Sequence, residues 1–311
     1  MKAISYSRYG GPEVLEFGEH PDPKVGPDKV LVEVRAAAVN PVDWKVQAGY
    51  MDTALDAVFP VIPGWDVSGV VVQPGVAVTE FGVGDEVMGY VREDTLWHGT
   101  FAEYVAAPVR TLARKPRTLG FEEAAGLPLA GLTAYQVLKG ALQVRPGETV
   151  LVHAASGGVG SMAVQIARHL GARVIGAARA SGEERVRELG AEPVLYGDGF
   201  TRRVKALAPH GVDAAFDTLG GQALKDAANL LAPEGRLASV ADGEVIGLGG
   251  RYCWVRPDPA DLTALAELAE QGALAVRVAK TFPLEQAADA QRANREGGLG
   301  GKVVVTVDRT D

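Results

Sequence analysis

The residues best suited to chemistry form one short run, Ala155-Ser156-Gly157-Gly158-Val159-Gly160, between an apolar stretch at 149–153 and a stretch at 159–170 with helical spacing. In a strand-turn-helix unit such glycines allow a tight turn and let the backbone approach a pyrophosphate. They also bring helix against strand, with the anion at the helix N-terminus. Gly157, Gly158 and Gly160 take the second, following and third glycine places, and Ala155 replaces the first. The run reads as a dinucleotide-binding turn rather than a simple chain reversal. About 20 residues further on, an Asp or Glu would accept the ribose hydroxyls of NAD. Here Ala177, Ala178 and Arg179 stand instead. A guanidinium at that place pairs with a 2′-phosphate, which favours NADP(H) over NAD(H); the alternative is a solvated loop charge. Ser181 has two open readings: N-cap of the next helix, with Glu184 completing a capping box, or a hydroxyl facing the 2′-phosphate. Tyr196, at the end of the third strand, is ambiguous, because such a tyrosine commonly packs half-buried.

A strand-helix alternation must carry that turn. Apolar strands are expected at 149–153, 173–178, 193–196, 212–217 and 236–240, with helices at 159–170, 183–189, 200–207 and 222–231 between them. This pattern makes a doubly wound parallel sheet covered by helices on both faces. The preceding 120 residues have another texture. Alternating or β-branched runs at 29–36, 67–72, 85–90 and 101–106, set off by Gly and Pro, read as a β-rich unit, a partly open barrel. Helical spacing begins at 121–126 and 131–141. After a helix at 261–271, the chain passes a strand at 275–279, a helix at 284–295 and a last strand at 301–307, which is expected to return to the first unit. The fold class is α/β in two domains, with boundaries expected at 1–122 plus 272–311 and at 123–271.

Composition narrows the functional classes. The 311 residues carry a formal charge of −8 without a long basic run, which argues against a nucleic-acid partner. A single cysteine excludes an internal disulfide and a cysteine-rich zinc lobe. The N-terminus shows no apolar signal segment, and no run reaches the roughly 18 apolar residues of a membrane helix. A cytoplasmic protein acting on small molecules, with no membrane partner, is expected.

Eight segments in order, AAAVNPVDWKVQAGY, FPVIPGWDVSGVVV, VGDEVMGY, GTFAEYV, LPLAGLTAYQVL, AASGGVG, FDTLGG and GKVVVTV, span nearly the whole chain. With them the sequence resembles the zinc-free quinone oxidoreductase and alkenal or enoyl reductase branch of the medium-chain dehydrogenase/reductase superfamily. The resemblance implies a GroES-like barrel interrupted by a Rossmann domain, with the active site in the cleft between them. Zinc-using relatives carry a cysteine where Asn40 stands and a His-Glu pair where Trp65-Asp66 stands. The five histidines form no H-x-x-x-H pair, so no metal site is expected. The resemblance places Ser156, Gly157, Gly158, Val159 and Gly160 at the pyrophosphate, and Tyr196 with Arg179 and Ser181 at the 2′-phosphate. It puts Asn40 and Thr133 near the nicotinamide, Tyr50 in the substrate pocket and Lys302 near the cleft. Val240, Ala241, Tyr252 and Cys253 would line the nicotinamide pocket, with Cys253 a small apolar filler.

The activity so implied is NADPH-dependent hydride transfer to a quinone, or to the C=C bond of an α,β-unsaturated carbonyl, with Tyr50 a candidate proton donor. Phe59, Trp65, Trp97 and Trp254 are candidates for an apolar wall. Two alternatives are an enoyl reductase for carrier-bound thioesters and a non-catalytic NADPH-binding sensor or structural protein. A homodimer through sheet edges, at 251–255, is also implied.

Overall fold

The computed structural model describes residues 1–307. The chain divides into two compact units. Unit 1 comprises Met1–Leu129, Pro257–Glu270 and Val276–Asp311, and unit 2 comprises Ala130–Arg256 and Gln271–Ala275. The expected boundaries lay at 122/123 and 271/272; residues 272–275 instead join unit 2, and residues 123–129 and 257–270 join unit 1. Their contacts explain this: Ala125 of helix Phe121–Gly126 packs with Ala36, Ala38 and Val304. Glu270, ending helix Pro259–Glu270, accepts a 2.5 Å hydrogen bond from Arg117 N. Residues 308–311 of the expected tail segment lie outside the described residues.

Unit 1 is organised by the strand Lys29–Val39, whose pattern turns from alternating to continuously buried along its length. The first half has one face on the core and one in solvent, whereas the small Ala36-Ala37-Ala38 run is covered on both sides. The seven-stranded sheet runs in the order Val278–Pro283, Lys302–Thr306, Lys29–Val39, Asp66–Pro74, Glu86–Tyr90, Leu112–Arg114, and Tyr104–Pro108 also pairs with Lys29–Val39. The C-terminal strand thus lies antiparallel beside Val39, which brings Lys302 next to the end of the central strand. Val30, Val32, Val67, Phe101, Leu112 and Val305 build the core. Gly69 is required here, since a Cβ would stand 2.1 Å from Glu33 O across the ladder. The run expected as a strand at 101–106 is displaced to Tyr104–Pro108, because Phe101 and Ala102 bond instead to the N-terminal strand Lys2–Ser5. A short helix Pro41–Gln47, starting from Asn40, was not foreseen.

Unit 2 carries a six-stranded, all-parallel sheet in the order Glu192–Leu195, Arg173–Ala178, Thr149–Val152, Val212–Asp217, Leu231–Ser239, Arg251–Tyr252. Counted along the chain this is 3-2-1-4-5-6, the doubly wound order with its reversal beside Thr149–Val152. Leu151, Ile175, Val194, Phe200, Val212 and Leu237 form its core. The expected helix at 131–141 is a helix Pro128–Tyr135 continued by a wider turn, Gln136–Ala141.

Candidate active site

Unit 2 builds its part of the site from backbone. A crevice opens outside the carboxyl ends of the strands where strand order reverses, and there the chain leaves the sheet through Ala154. Its φ of 46° lies in the left-handed region that alanine seldom adopts. Tyr196 holds the bend, its hydroxyl accepting a 2.6 Å hydrogen bond from Ala154 N. Burial pushes the Tyr196 phenol up to about 12, with Arg179 opposing. Helix Gly158–His169 then starts at Gly157 with no side-chain cap and no acidic residue in its first turn. The first amides of a helix lack intrahelical partners and carry its positive dipole end.

Close approach is enforced by two glycines. A Cβ on Gly160 would stand 2.1 Å from Ala154 O, and one on Gly182 would stand 2.3 Å from Ser156 Oγ. The turn therefore fits a pyrophosphate held by backbone N–H groups. Arg179 follows the strand Arg173–Ala178, exposed and unpaired among the described residues. Ser181 departs from the expected N-cap: it lies inside the single turn Ala180–Gly182, and Gly182 begins helix Glu183–Glu188 without a side-chain cap. Gly182 has no room for a Cβ beside Ser156, and Glu184 pairs with Arg187 instead of closing a capping box.

A buried network that sequence reasoning missed holds the neighbouring loops. His153 Nδ1 lies 2.9 Å from Asp217 Oδ1, and Ser239 Oγ donates to Asp217 Oδ2 at 2.7 Å. Asp217 also accepts from the amides of Leu219 and Gly220. Burial alone would raise this carboxyl, but the bonds from His153, Ser239 and the Leu219 amide bring it below its ordinary value. Ser239 Oγ accepts from the amides of Ala241 and Asp242 at 3.1 Å, which fixes the turn carrying Val240 and Ala241. The available signal was Asp217 at a strand end, just before Gly220-Gly221. Thr133, Val240, Tyr252 and Cys253 line one pocket of about 310 Å³, with Gln136 and Trp254. The Cys253 thiol, raised by burial, contacts only the Arg251 carbonyl among the described hydrogen-bonding partners.

Unit 1 builds its part from side chains. Asn40 begins helix Pro41–Gln47, and its N–H donates 2.7 Å to Asp43 Oδ2. The Asn40 amide donates to Asp66 Oδ2 at 2.9 Å and accepts from Lys302 Nζ at 2.5 Å. Asp66 Oδ1 accepts from Leu129 N at 2.8 Å, and its Oδ2 lies 3.8 Å from the Lys302 ammonium. All four polar side chains are buried. Burial drives Asp43 up to about 7 and Asp66 up to about 6, and it lowers Lys302. Lys302 and Asn40 oppose the rise of both carboxyls, Asp66 adds to the rise of Asp43, and the two carboxyls oppose the fall of Lys302, without cancelling these shifts.

Beside this cluster unit 1 encloses a cavity of about 1180 Å³, walled by Asp43, Pro60, Ile62, Trp65, Leu96 and Trp97. Of the four expected wall aromatics, Trp65 and Trp97 stand here. Phe59 instead packs edge-on between Tyr6 and Tyr9, and Trp254 belongs to the unit 2 pocket. Tyr50 does not line this cavity; it lies in the turn after helix Pro41–Gln47, 66% exposed.

Comparison with known proteins agrees with this architecture. Residues 26–117 match the alcohol dehydrogenase GroES-like domain, and residues 158–252 match the domain described as zinc-binding dehydrogenase. An Arabidopsis thaliana NADPH-dependent alkenal/one oxidoreductase, chloroplastic, is 37% identical over 98% of this chain and 79% of its own. The chain belongs to the medium-chain dehydrogenase/reductase superfamily. Within it, a solved NAD-dependent alcohol dehydrogenase superposes with a TM-score of 0.90 at 34% identity, covering 99% of this chain and 100% of its own. The quinone oxidoreductase from Coxiella burnetii superposes with a TM-score of 0.87 at 31% identity, over 99% of each chain.

Despite the description of that second domain, the donors at the positions used by the superfamily's zinc enzymes do not suit zinc, which takes thiolate, imidazole or carboxylate in tetrahedral array. An amide and an indole replace two of them, and the remaining carboxylate, Asp66, is engaged by Asn40 and Lys302. A lysine ammonium is the cation these groups hold.

Proposed function

We propose that this member of the superfamily is an NADP(H)-dependent oxidoreductase that reduces quinones or the C=C bond of α,β-unsaturated carbonyls without zinc. One observation carries the reading: the phosphate turn leads into a strand closed by Ala177, Ala178 and Arg179, unpaired among the described residues, where an acid would select NAD. The named activities of the alkenal/one oxidoreductase and of the Coxiella enzyme support the substrate class.

In this reading the amides of Gly157, Gly158, Val159 and Gly160, with Ser156, hold the pyrophosphate. Arg179, Ser181 and Tyr196 hold the 2′-phosphate. Thr133, Val240, Ala241, Tyr252 and Cys253 border the nicotinamide, and Asn40 and Lys302 set the polarity at its carboxamide. When bound, the reduced nicotinamide supplies hydride. The protein's own work is orientation and stabilisation of the negative charge that develops on the substrate oxygen. The apolar side chains Trp65, Trp97 and Pro60 of the unit 1 cavity suit a planar carbonyl compound.

The edge strand Arg251–Tyr252 leaves unpaired backbone beside exposed Tyr252 and Trp254, which supports a homodimer through that edge. No described helix is long and apolar enough to cross a membrane, and a cytoplasmic place is part of the same proposal.

Oxidation of NADPH and NADH by the purified chain, followed with an alkenal, a 1,4-quinone and a crotonyl thioester, tests the function. Turnover of the alkenal or quinone with NADPH preferred is expected. Tight NADPH binding without turnover would overturn the reading in favour of a sensor, and turnover of the thioester alone in favour of a carrier-dependent reductase.

A further inference from the structure

Reduction of an enone needs a proton as well as a hydride, and the cavity of unit 1 holds a group placed to give one. Asp43 lies in its wall, 4% exposed, on the helix that begins at Asn40. One carboxyl oxygen, Oδ2, is fixed by the Asn40 amide at 2.7 Å. The other, Oδ1, makes no hydrogen bond among the described residues, and it is not among the buried polar atoms lacking a partner, so it reaches the cavity surface. The remaining acids of the wall are of another kind. Asp22 bonds the N-terminal ammonium and Asp94 pairs with Arg92, both at exposed positions, and half-buried Glu93 pairs with Lys29. Asp43 alone is buried, with one oxygen unengaged.

We propose that Asp43 is the general acid of the reaction, delivering its proton to the substrate's α-carbon in the unit 1 cavity; this rests on the function proposed above. Hydride from the reduced nicotinamide forms a C–H bond at the β-carbon, and the C=C electron pair moves toward the carbonyl as an enolate. The O–H bond of Asp43 breaks as a C–H bond forms at the α-carbon and the carbonyl is restored. Asp43 is left as a carboxylate, which water entering the cavity reprotonates.

The charged and titratable groups facing Asp43 come from four other elements, among them Tyr90 of the strand Glu86–Tyr90, which burial keeps uncharged and which feels the Asp43 charge. Asp66 from the strand Asp66–Pro74 and burial favour its neutral form, and Lys302 from the C-terminal strand favours the anion. Tyr6, beyond the end of the strand Lys2–Ser5, feels the Asp43 charge and is itself held uncharged by burial. The balance leaves Asp43 titrating at about 7, where an acid retains its proton yet can release it.

Asp43→Asn tests the assignment, because an amide oxygen still accepts the Asn40 N–H while the acid is lost. Its kcat for an alkenal should fall about a hundredfold or more, with NADPH affinity retained and no loss of the unfolding midpoint. Asp43→Glu should recover part of the rate. In the wild type kcat should decline as pH rises through about 7, and this break should vanish in Asp43→Asn. Independently of turnover, infrared difference spectra of the cofactor-free protein should show a carboxyl band titrating in that range, absent from the variant. Wild-type turnover with unchanged rate and pH profile in Asp43→Asn would overturn the proposal, as would a loss confined to Tyr50→Phe. A wild type that reduces no enone or quinone instead overturns the functional reading, while the carboxyl titration still reports on Asp43.

Discussion

Asp217 in unit 2 and the pair Asp43 and Asp66 in unit 1 are all buried carboxyls, yet their protons are held in opposite ways. Asp217 takes bonds from His153, Ser239 and two backbone amides, and it stays ionised below its ordinary value. Asp66 receives bonds from Asn40 and Leu129 with Lys302 at 3.8 Å, and Asp43 receives one amide bond; both are raised. The donors aimed at a buried acid, set against the cost of its burial, decide whether it keeps its charge. Unit 2 thus uses its acid as a fixed tie for loops, whereas unit 1 keeps an acid whose charge changes near neutrality.

Removing the unit 1 cation should have the largest effect. Lys302→Met should cost about 3–5 kcal/mol of stability at pH 8, since it leaves Asp66 buried without its cation. Denaturant unfolding at pH 5, below the Asp66 value of about 6, should show a smaller cost, and adding Asp66→Asn should recover most of it. An equal cost in the single and double variants would mean the ammonium matters only as packing. In unit 2, Gly160→Ala should cost about 1–3 kcal/mol by forcing a Cβ onto the Ala154 carbonyl, and it should weaken NADPH by about ten- to a hundredfold in calorimetric titration. Unchanged affinity would show that the turn does not depend on close approach.

The smallest effect has a sign that separates the two units. Asp43 titrates near 7 when folded against an ordinary 3.8, so the folded state holds the extra proton between about pH 4 and 7. Stability contributed by this group therefore falls as pH rises through that window. Asp43→Asn should raise the unfolding midpoint at pH 8 by about 2 °C and lose this advantage at pH 4. Asp217→Asn should do the reverse, losing stability at pH 8, because it removes an anion that the fold already satisfies.

The unit 2 strands Arg173–Ala178 and Val212–Asp217 and the helix Phe200–Leu207 coincide with the sequence expectation. Each is a local pattern, and the glycine spacing encodes the phosphate turn within a few residues. Unit 1 was less legible. Its polar cluster joins Asn40 to Asp66 across 26 positions and to Lys302 across 262, and no local pattern announces such a meeting. The resemblance to the superfamily drew attention to Asn40 and Lys302 singly. It did not show that they bond each other, nor that Asp43 stands beside them. The helix Pro41–Gln47 was hidden because its seven residues are too few for a visible period, and Ser181 misled because a capping box fits a sequence whose helix starts one residue later.

The most direct test of the central claim is calorimetric titration of NADPH and NADH against wild type and Arg179→Ala. The account predicts that wild type binds NADPH the more tightly, and that the variant loses about tenfold or more of NADPH affinity while NADH affinity barely changes. Equal losses for both cofactors, or a wild type that prefers NADH, would contradict it.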